Sequence, residues 1–445
     1  MTTDRTAAVS AAGPIGRLLL FVPVLCAAVV VPLLPPLAWK VQVAMAAAVL
    51  QAGGLYILAR TGALRRSPLD VPALAFLAAA IAATAVSVDR LVSFYPSPLR
   101  GDGLLVSVGY VLAGLGAARL SERERGLLLW AMLAGGGLIG IVALGQYYGA
   151  DAVPWAGFSI VQPQGPVEGT TPFVFEPTIL GTRSIATLGQ PLALGGLAVL
   201  LLPAAVALTV QASRPSAGLL SATAAVALYG ALVVSQTRAA WIGAAIAGAL
   251  LVPLLPRSPG VWRRLTALAA VLAAMTVLLA ATRPQAALPG RVVSIVKDVQ
   301  RSDQSLGQRL YMWTHVVPLI RQRPVLGWGF STMLSRFPDY GSAEYRRRFG
   351  TERVELIDNP HNELLNIAFS MGLAGLAAYL WVWVVSVSGA VRSLRRGVGA
   401  PRLAGALLAG LAAYFVWMQS AWSHVGVATV LWVVLGLAAS SEPTP

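Results

Sequence analysis

Cysteine, lysine, histidine and charge of every kind are scarce in this chain. Only 11% of its 445 residues are charged, against roughly a quarter in a soluble protein of this size. A single cysteine, Cys26, excludes an intrachain disulfide and any Cys/His metal cluster. Lysine occurs only at Lys40 and Lys297, so the formal net charge of +15 is almost all arginine. Abundant Ala, Gly, Leu and Val point to GC-rich coding as the source of that overall bias. Coding does not explain where individual arginines sit. Histidine occurs three times, at His315, His361 and His424.

What is present is apolar. Hydrophobic residues make up 57% of the chain, and the mean hydropathy is +0.71. An all-α, polytopic membrane protein follows. The first ten residues are polar and the first apolar run is long enough to span, so a spanning segment rather than a cleaved signal is expected. A span needs about 20 apolar residues. Such runs lie near 16–35, 40–59, 69–88, 103–118, 126–148, 190–211, 217–234, 239–255, 264–281, 361–388, 402–421 and 424–440, about twelve transmembrane helices. Three regions result: transmembrane helices over 1–281, a large partly helical outer loop over 282–360, and transmembrane helices over 361–445.

Basic residues in the short loops set the orientation. With the N-terminus in the cytoplasm, the inside loops carry Arg60, Arg65, Arg66, Arg119, Arg123, Arg125, Arg214, Arg257, Arg263, Arg264, Arg392, Arg395, Arg396 and Arg402. The short outside connections carry Lys40, Arg90, Arg100, Arg183 and Arg238. Both termini are then cytoplasmic. Two long segments fall outside, 149–189 and 282–360. The second is rich in arginine, which suits an anionic substrate. Within it, 307–323 reads as an amphipathic helix on the membrane surface, with Leu310, Trp313, Val317 and Ile320 on one face and Pro318 bending or ending it. Gly327-Trp328-Gly329 reads as a turn, and 342–355 as a second, charged helix.

The segment Asp358-Asn359-Pro360-His361-Asn362-Glu363-Leu364-Leu365 marks the re-entry of the large loop into the membrane. Asn359 or Asp358 suits a helix cap and Pro360 the first turn, which places His361 in the first turn of a helix. The positive end of the helix dipole disfavours a second proton on an imidazole, and a neutral imidazole can serve as a general base. Arginine at the edge of a bundle is costly and often functional, although a headgroup-binding arginine is the plain alternative. Arg238, Arg309, Arg183 and Arg100 all fall on the same outer face as His361, and together they can form a cationic pocket. No paired carboxylates suggest a metal, and no nucleic-acid partner is expected.

Four features coincide in order. They are Ser235-Gln236-Thr237-Arg238-Ala239-Ala240-Trp241, Arg309 with Trp313, Pro324-Val325-Leu326-Gly327-Trp328-Gly329, and Pro360-His361-Asn362-Glu363-Leu364-Leu365 followed by Gly372-Leu373-Ala374-Gly375. This set resembles the O-antigen ligase and polymerase superfamily of bacterial envelopes. The resemblance implies a GT-C-type fold and a glycosyltransferase of the bacterial cytoplasmic (inner) membrane, with its active site on the periplasmic face. It implies an undecaprenyl-diphosphate-linked glycan as donor. A sugar hydroxyl of the lipid A core is the implied acceptor, with a polysaccharide repeat unit or a protein hydroxyl as alternatives. It implies inverting, metal-independent chemistry with no cofactor, and membrane lipids as surroundings. Carried over by motif, His361 is the catalytic residue and Arg238 and Arg309 bind the diphosphate, with Arg183 or Arg100 assisting. Asn362, Asn359 and Trp313 support them. Gln236 and Thr237 depart from the common pattern around the arginine motif. A transporter of lipid-linked glycans is the reading from another class.

Overall fold

The computed structural model describes residues 2–34, 37–96, 101–150, 183–283, 290, 304–337, 358–397, 401–422 and 424–440. Every regular element among them is helical. Among the described residues, eight helices are long and apolar enough to cross a membrane: Gly13–Leu33, Leu37–Arg60, Glu122–Tyr147, Pro191–Val210, Pro215–Ser235, Pro259–Thr282, Glu363–Arg396 and Leu403–Ser420. Four shorter apolar helices, Asp70–Ala85, Leu104–Ala117, Arg238–Leu254 and Val425–Ala439, complete the twelve apolar segments expected. The chain is an all-α integral membrane protein.

Apolar composition alone does not say which helices meet lipid; burial does. Pro191–Val210 is 89% buried over its most apolar window, whereas Pro259–Thr282 is only 11% buried. Every residue of Val425–Ala439 is buried. That helix is about 22 Å long, short of the roughly 30 Å hydrocarbon layer. A helix sheathed by protein need not match the lipid thickness. Val425–Ala439 packs on Leu104–Ala117 and Glu363–Arg396, while Pro401–Trp417 packs on Arg238–Leu254 and Pro191–Val210. The peripheral helices present Val49, Leu219, Val277 and Leu278 outward, as lipid contact requires.

Lys40, read from sequence as a charge in a short outer connection, is fully buried. Its Nζ donates to the carbonyls of Val31 (3.3 Å), Pro32 (3.2 Å), Thr187 (3.0 Å) and Leu34. Thr187 Oγ1 also donates to Pro32 O at 2.8 Å. The ammonium therefore ties the end of the first membrane helix to the Ala186–Leu188 turn, which leads into Pro191–Val210.

The segment expected as one span over 361–388 is two helices. Gly372 has φ +67° and ψ −170°, which breaks Glu363–Arg396 after Met371. The 324–330 loop fills the break. The N–H groups of Trp328 and Gly329 donate to Phe369 O and Ser370 O, both at 2.9 Å. Leu373 N–H donates to Pro324 O at 2.7 Å and Ala374 N–H to Val325 O at 3.2 Å. Four backbone groups at the break are thus satisfied by the loop, as a membrane demands. Residues 373–396 rise about 36 Å, enough to cross alone.

The loop helix forms over Gln304–Gln322, with Pro318 inside it rather than ending it. Its buried face differs from the expected one. Met312 and Val316 are buried against Met333, Phe337 and Phe369, whereas Leu310 is exposed. The helix packs on protein through a face centred one position away from the one read from the apolar spacing. The expected helix at 342–355 and most of the 149–189 loop lie outside the described residues.

Candidate active site

His361 sits just before a helix, not within its first turn. The helix begins at Glu363, and Asn362 is its N-cap, with Oδ1 accepting from Leu365 N–H at 3.1 Å. The reason is local: Asn359 uses its side chain on a turn instead, accepting from His361 N–H at 2.7 Å. That turn holds His361 at φ +50°. Such a conformation costs on the order of 1–3 kcal/mol in a non-glycine residue and is concentrated at functional sites.

Three further contacts fix the segment. Trp313 Nε1 donates to Pro360 O at 2.9 Å. Asn362 Nδ2 donates to Gln419 O at 3.1 Å. The His361 ring meets Trp422 edge-on, with centroids 4.6 Å apart. Asn359 and Asn362 are buried and His361 is partly exposed, with its Nδ1 buried, so the reachable side of the imidazole is the one away from Nδ1.

Arg238 opens Arg238–Leu254, directly after a sharp turn. Gln236 has φ +50°, and Ser235, Gln236 and Thr237 are all buried. Arg183 braces this turn. Its Nε donates to Ser235 O at 3.0 Å and its Nη2 to Thr237 Oγ1 at 3.4 Å. Thr237 Oγ1 donates onward to Pro191 O at 3.0 Å. Arg183 therefore lies beside the Arg238 turn and orients it. Arg100 lies outside the described residues.

Arg309 joins the two halves. It lies one helical turn before Trp313, so both occupy one face of Gln304–Gln322. Trp313 reaches the His361 segment, and Arg309 faces Arg238. Its guanidinium pKa is lowered from 12.5 to about 10, chiefly by burial and further by the charge of Arg238. Arg309 and Arg238, from separate parts of the chain, are thus close enough to interact electrostatically, and Arg309 lies one turn from the Trp313 that bonds the His361 segment. Holding two like charges together in partial burial is unfavourable without an anion between them.

One polar feature has no motif of its own in the sequence. Asp102 and Glu363 line a cavity of about 60 Å³ together with Ser107, Tyr110, Asn366 and Ser370. Glu363 belongs to the histidine motif, but a glutamate in the first turn of a helix reads equally well as a dipole partner. Asp102 also accepts from Ser331 Oγ at 2.6 Å, which links the loop to the same region.

Residues 223–380 match the family model described as O-antigen ligase. That stretch contains Arg238, Arg309, Trp313 and His361, so the resemblance carried by the motifs holds where the site is built. A protein of Rickettsia prowazekii (strain Madrid E) named "Putative polysaccharide ligase" is 36% identical over 77 residues, 17% of this chain and 18% of that protein. A protein of the same description from Rickettsia felis is 25% identical over 134 residues, 29% of this chain and 31% of that protein. The chain is thus similar to these two proteins over less than a third of their length.

Proposed function

We propose that this protein is an O-antigen ligase-like glycosyltransferase of the bacterial inner membrane. It moves a glycan from undecaprenyl diphosphate to a sugar hydroxyl of the lipid A core on the periplasmic face. The observation that carries the reading is the helix that bears Arg309, which feels the charge of Arg238, and Trp313, which bonds the segment that holds His361.

The donor's anomeric carbon carries a diphosphate leaving group. The acceptor oxygen attacks that carbon, and the bond from carbon to phosphate oxygen breaks. Its electron pair leaves with undecaprenyl diphosphate, and the hydroxyl proton passes to the His361 imidazole. A single displacement of this kind inverts the anomeric centre. Arg238 and Arg309 offset the negative charge growing on the leaving group, the role a metal ion takes in other transferases. The transfer accordingly needs no metal. Arg183 holds Arg238 in place through Ser235 and Thr237.

A broken membrane helix is also a hallmark of transporters, where the freed backbone lines a substrate cavity. Here the break at Gly372 is closed by hydrogen bonds to the 324–330 loop, which favours a fixed scaffold over a translocation path.

The test is transfer by purified protein from an undecaprenyl-diphosphate oligosaccharide in EDTA, offered lipid A core, repeat-unit glycan and peptide in parallel. Wild type should glycosylate the lipid A core. His361→Ala should lose about 10²–10⁴-fold in rate, and Arg238→Ala about 10²–10³-fold. Preference for another acceptor would reassign the acceptor and keep the chemistry. No transfer to any acceptor would reject the enzyme.

A further inference from the structure

A second arginine cluster lies on the loop that fills the helix break. Trp328 has two guanidinium groups against its ring: Arg323 Cζ is 4.6 Å from the ring centroid and Arg336 Cζ 5.5 Å. Both cations therefore lie within about 10 Å of each other on one indole. Trp328 is itself fixed. Its N–H bonds Phe369 O and its Nε1 donates to Leu319 O at 2.8 Å.

Among the described residues, neither arginine is in an ion pair. Arg323 gives one hydrogen bond, to Val86 O at 3.2 Å. Two carboxylates on neighbouring elements are otherwise engaged: Asp89 caps the Arg90–Phe94 helix through Val92 N–H, and Asp102 binds Ser331. A guanidinium stacked on an indole keeps its in-plane N–H fork available, and that fork matches a phosphate. Two such forks on one fixed ring, with no carboxylate paired to either among the described residues, make an anion seat. Beside it, Leu91 is 70% exposed and Val325 65% exposed. A cationic seat next to exposed aliphatic side chains suits a phosphate carried by an acyl-anchored molecule.

We propose that Arg323 and Arg336, stacked on Trp328, dock a phosphate of the acyl-anchored acceptor glycan, apart from the donor diphosphate at Arg238 and Arg309. The proposal rests on the transferase reading above. The two seats share the Gln304–Gln322 helix: Arg309 lies near its start and Leu319, which Trp328 contacts, near its end. About 15 Å of helix separates them. An acceptor held by its phosphate at one end of this helix would present a sugar hydroxyl, a few residues along its glycan, to His361, whose segment meets the same helix at Trp313, about 9 Å away.

The experiment is equilibrium binding of the full-length protein in nanodiscs to three probes: phosphorylated lipid A core, the same glycolipid after phosphatase treatment, and phosphatidylglycerol. Wild type should prefer the phosphorylated glycolipid roughly tenfold over the dephosphorylated one, the loss expected for one charge-assisted hydrogen bond. Arg336→Gln alters an exposed residue and should reduce the preference. The Arg323→Gln/Arg336→Gln pair should abolish it, while affinity for undecaprenyl diphosphate stays unchanged. A preference that survives in the double variant would overturn the proposal. So would phosphatidylglycerol binding as tightly and displacing the glycolipid, which would make this a general headgroup site. A retained preference in a protein that transfers no glycan would reject the transferase reading and leave the phosphate seat in place.

Discussion

Replacing Arg309 with methionine should make the protein more stable and nearly inactive. Arg309 is held at a pKa of about 10 instead of 12.5, mainly by burial and secondarily by Arg238. A shift of one unit corresponds to about 1.4 kcal/mol, so keeping this arginine charged opposes folding by on the order of 3 kcal/mol at most. The sign follows from the depressed folded value. The folded protein binds this proton more weakly than the unfolded chain, so the cost is present throughout neutral pH and is relieved only as pH rises past about 10. Methionine keeps the length and apolar stem of the side chain and removes the charge. Thermal unfolding in detergent should show a higher midpoint for Arg309→Met at pH 7.5, with the gap to wild type narrowing at pH 10.5. Transfer by the same variant should fall about 10²–10³-fold, as for loss of one charge-stabilising donor. An Arg309→Met protein that melts at or below the wild-type temperature at pH 7.5, or that turns over within a few-fold of wild type, would refute the reasoning.

Trp313→Phe keeps the ring and loses the hydrogen bond to Pro360 O; turnover should drop about tenfold, the value of one such bond, with unchanged donor affinity by filter binding. Gly372→Ala places a Cβ 2.2 Å from Val325 O at φ +67°. It should cost at least about 1–3 kcal/mol, read as a lower melting temperature and faster proteolysis of the 324–337 loop. Lys40→Met leaves the carbonyls of Val31, Pro32, Leu34 and Thr187 without their shared donor; about 2 kcal/mol or more of stability should be lost in a chemical denaturation series.

The helices are legible in the sequence because apolar runs of membrane length rarely occur outside a bilayer, and all twelve expected segments are helical. Their ends are less legible. Asp358 and Asn359 read as caps where Asn362 is the one used, and the choice depends on contacts far along the chain, Trp313 to Pro360 and Asn362 to Gln419. The break at Gly372 is invisible in an apolar run, because it exists only where the 324–330 loop supplies replacement hydrogen bonds. Leu310 and Met312 are equally apolar, so spacing alone does not tell which face of the loop helix meets Phe369. Lys40 looks like a loop charge, since nothing local announces four carbonyl acceptors. Arg183 reads in sequence as one of the arginines on the outer face, at the end of a span. Its hydrogen bonds to Ser235 and Thr237, which set it beside the Arg238 turn, are a tertiary fact.

The most direct test of the account is a double-mutant cycle in single-turnover transfer, with Arg238→Gln, Arg309→Gln and the pair. If the two guanidinium groups clamp one diphosphate, neither arm works alone. The double variant should then be little slower than either single variant, each about 10²–10³-fold below wild type. Losses that multiply in the double variant would mean that the two arginines act on separate events, and the shared clamp at the centre of this mechanism would be wrong.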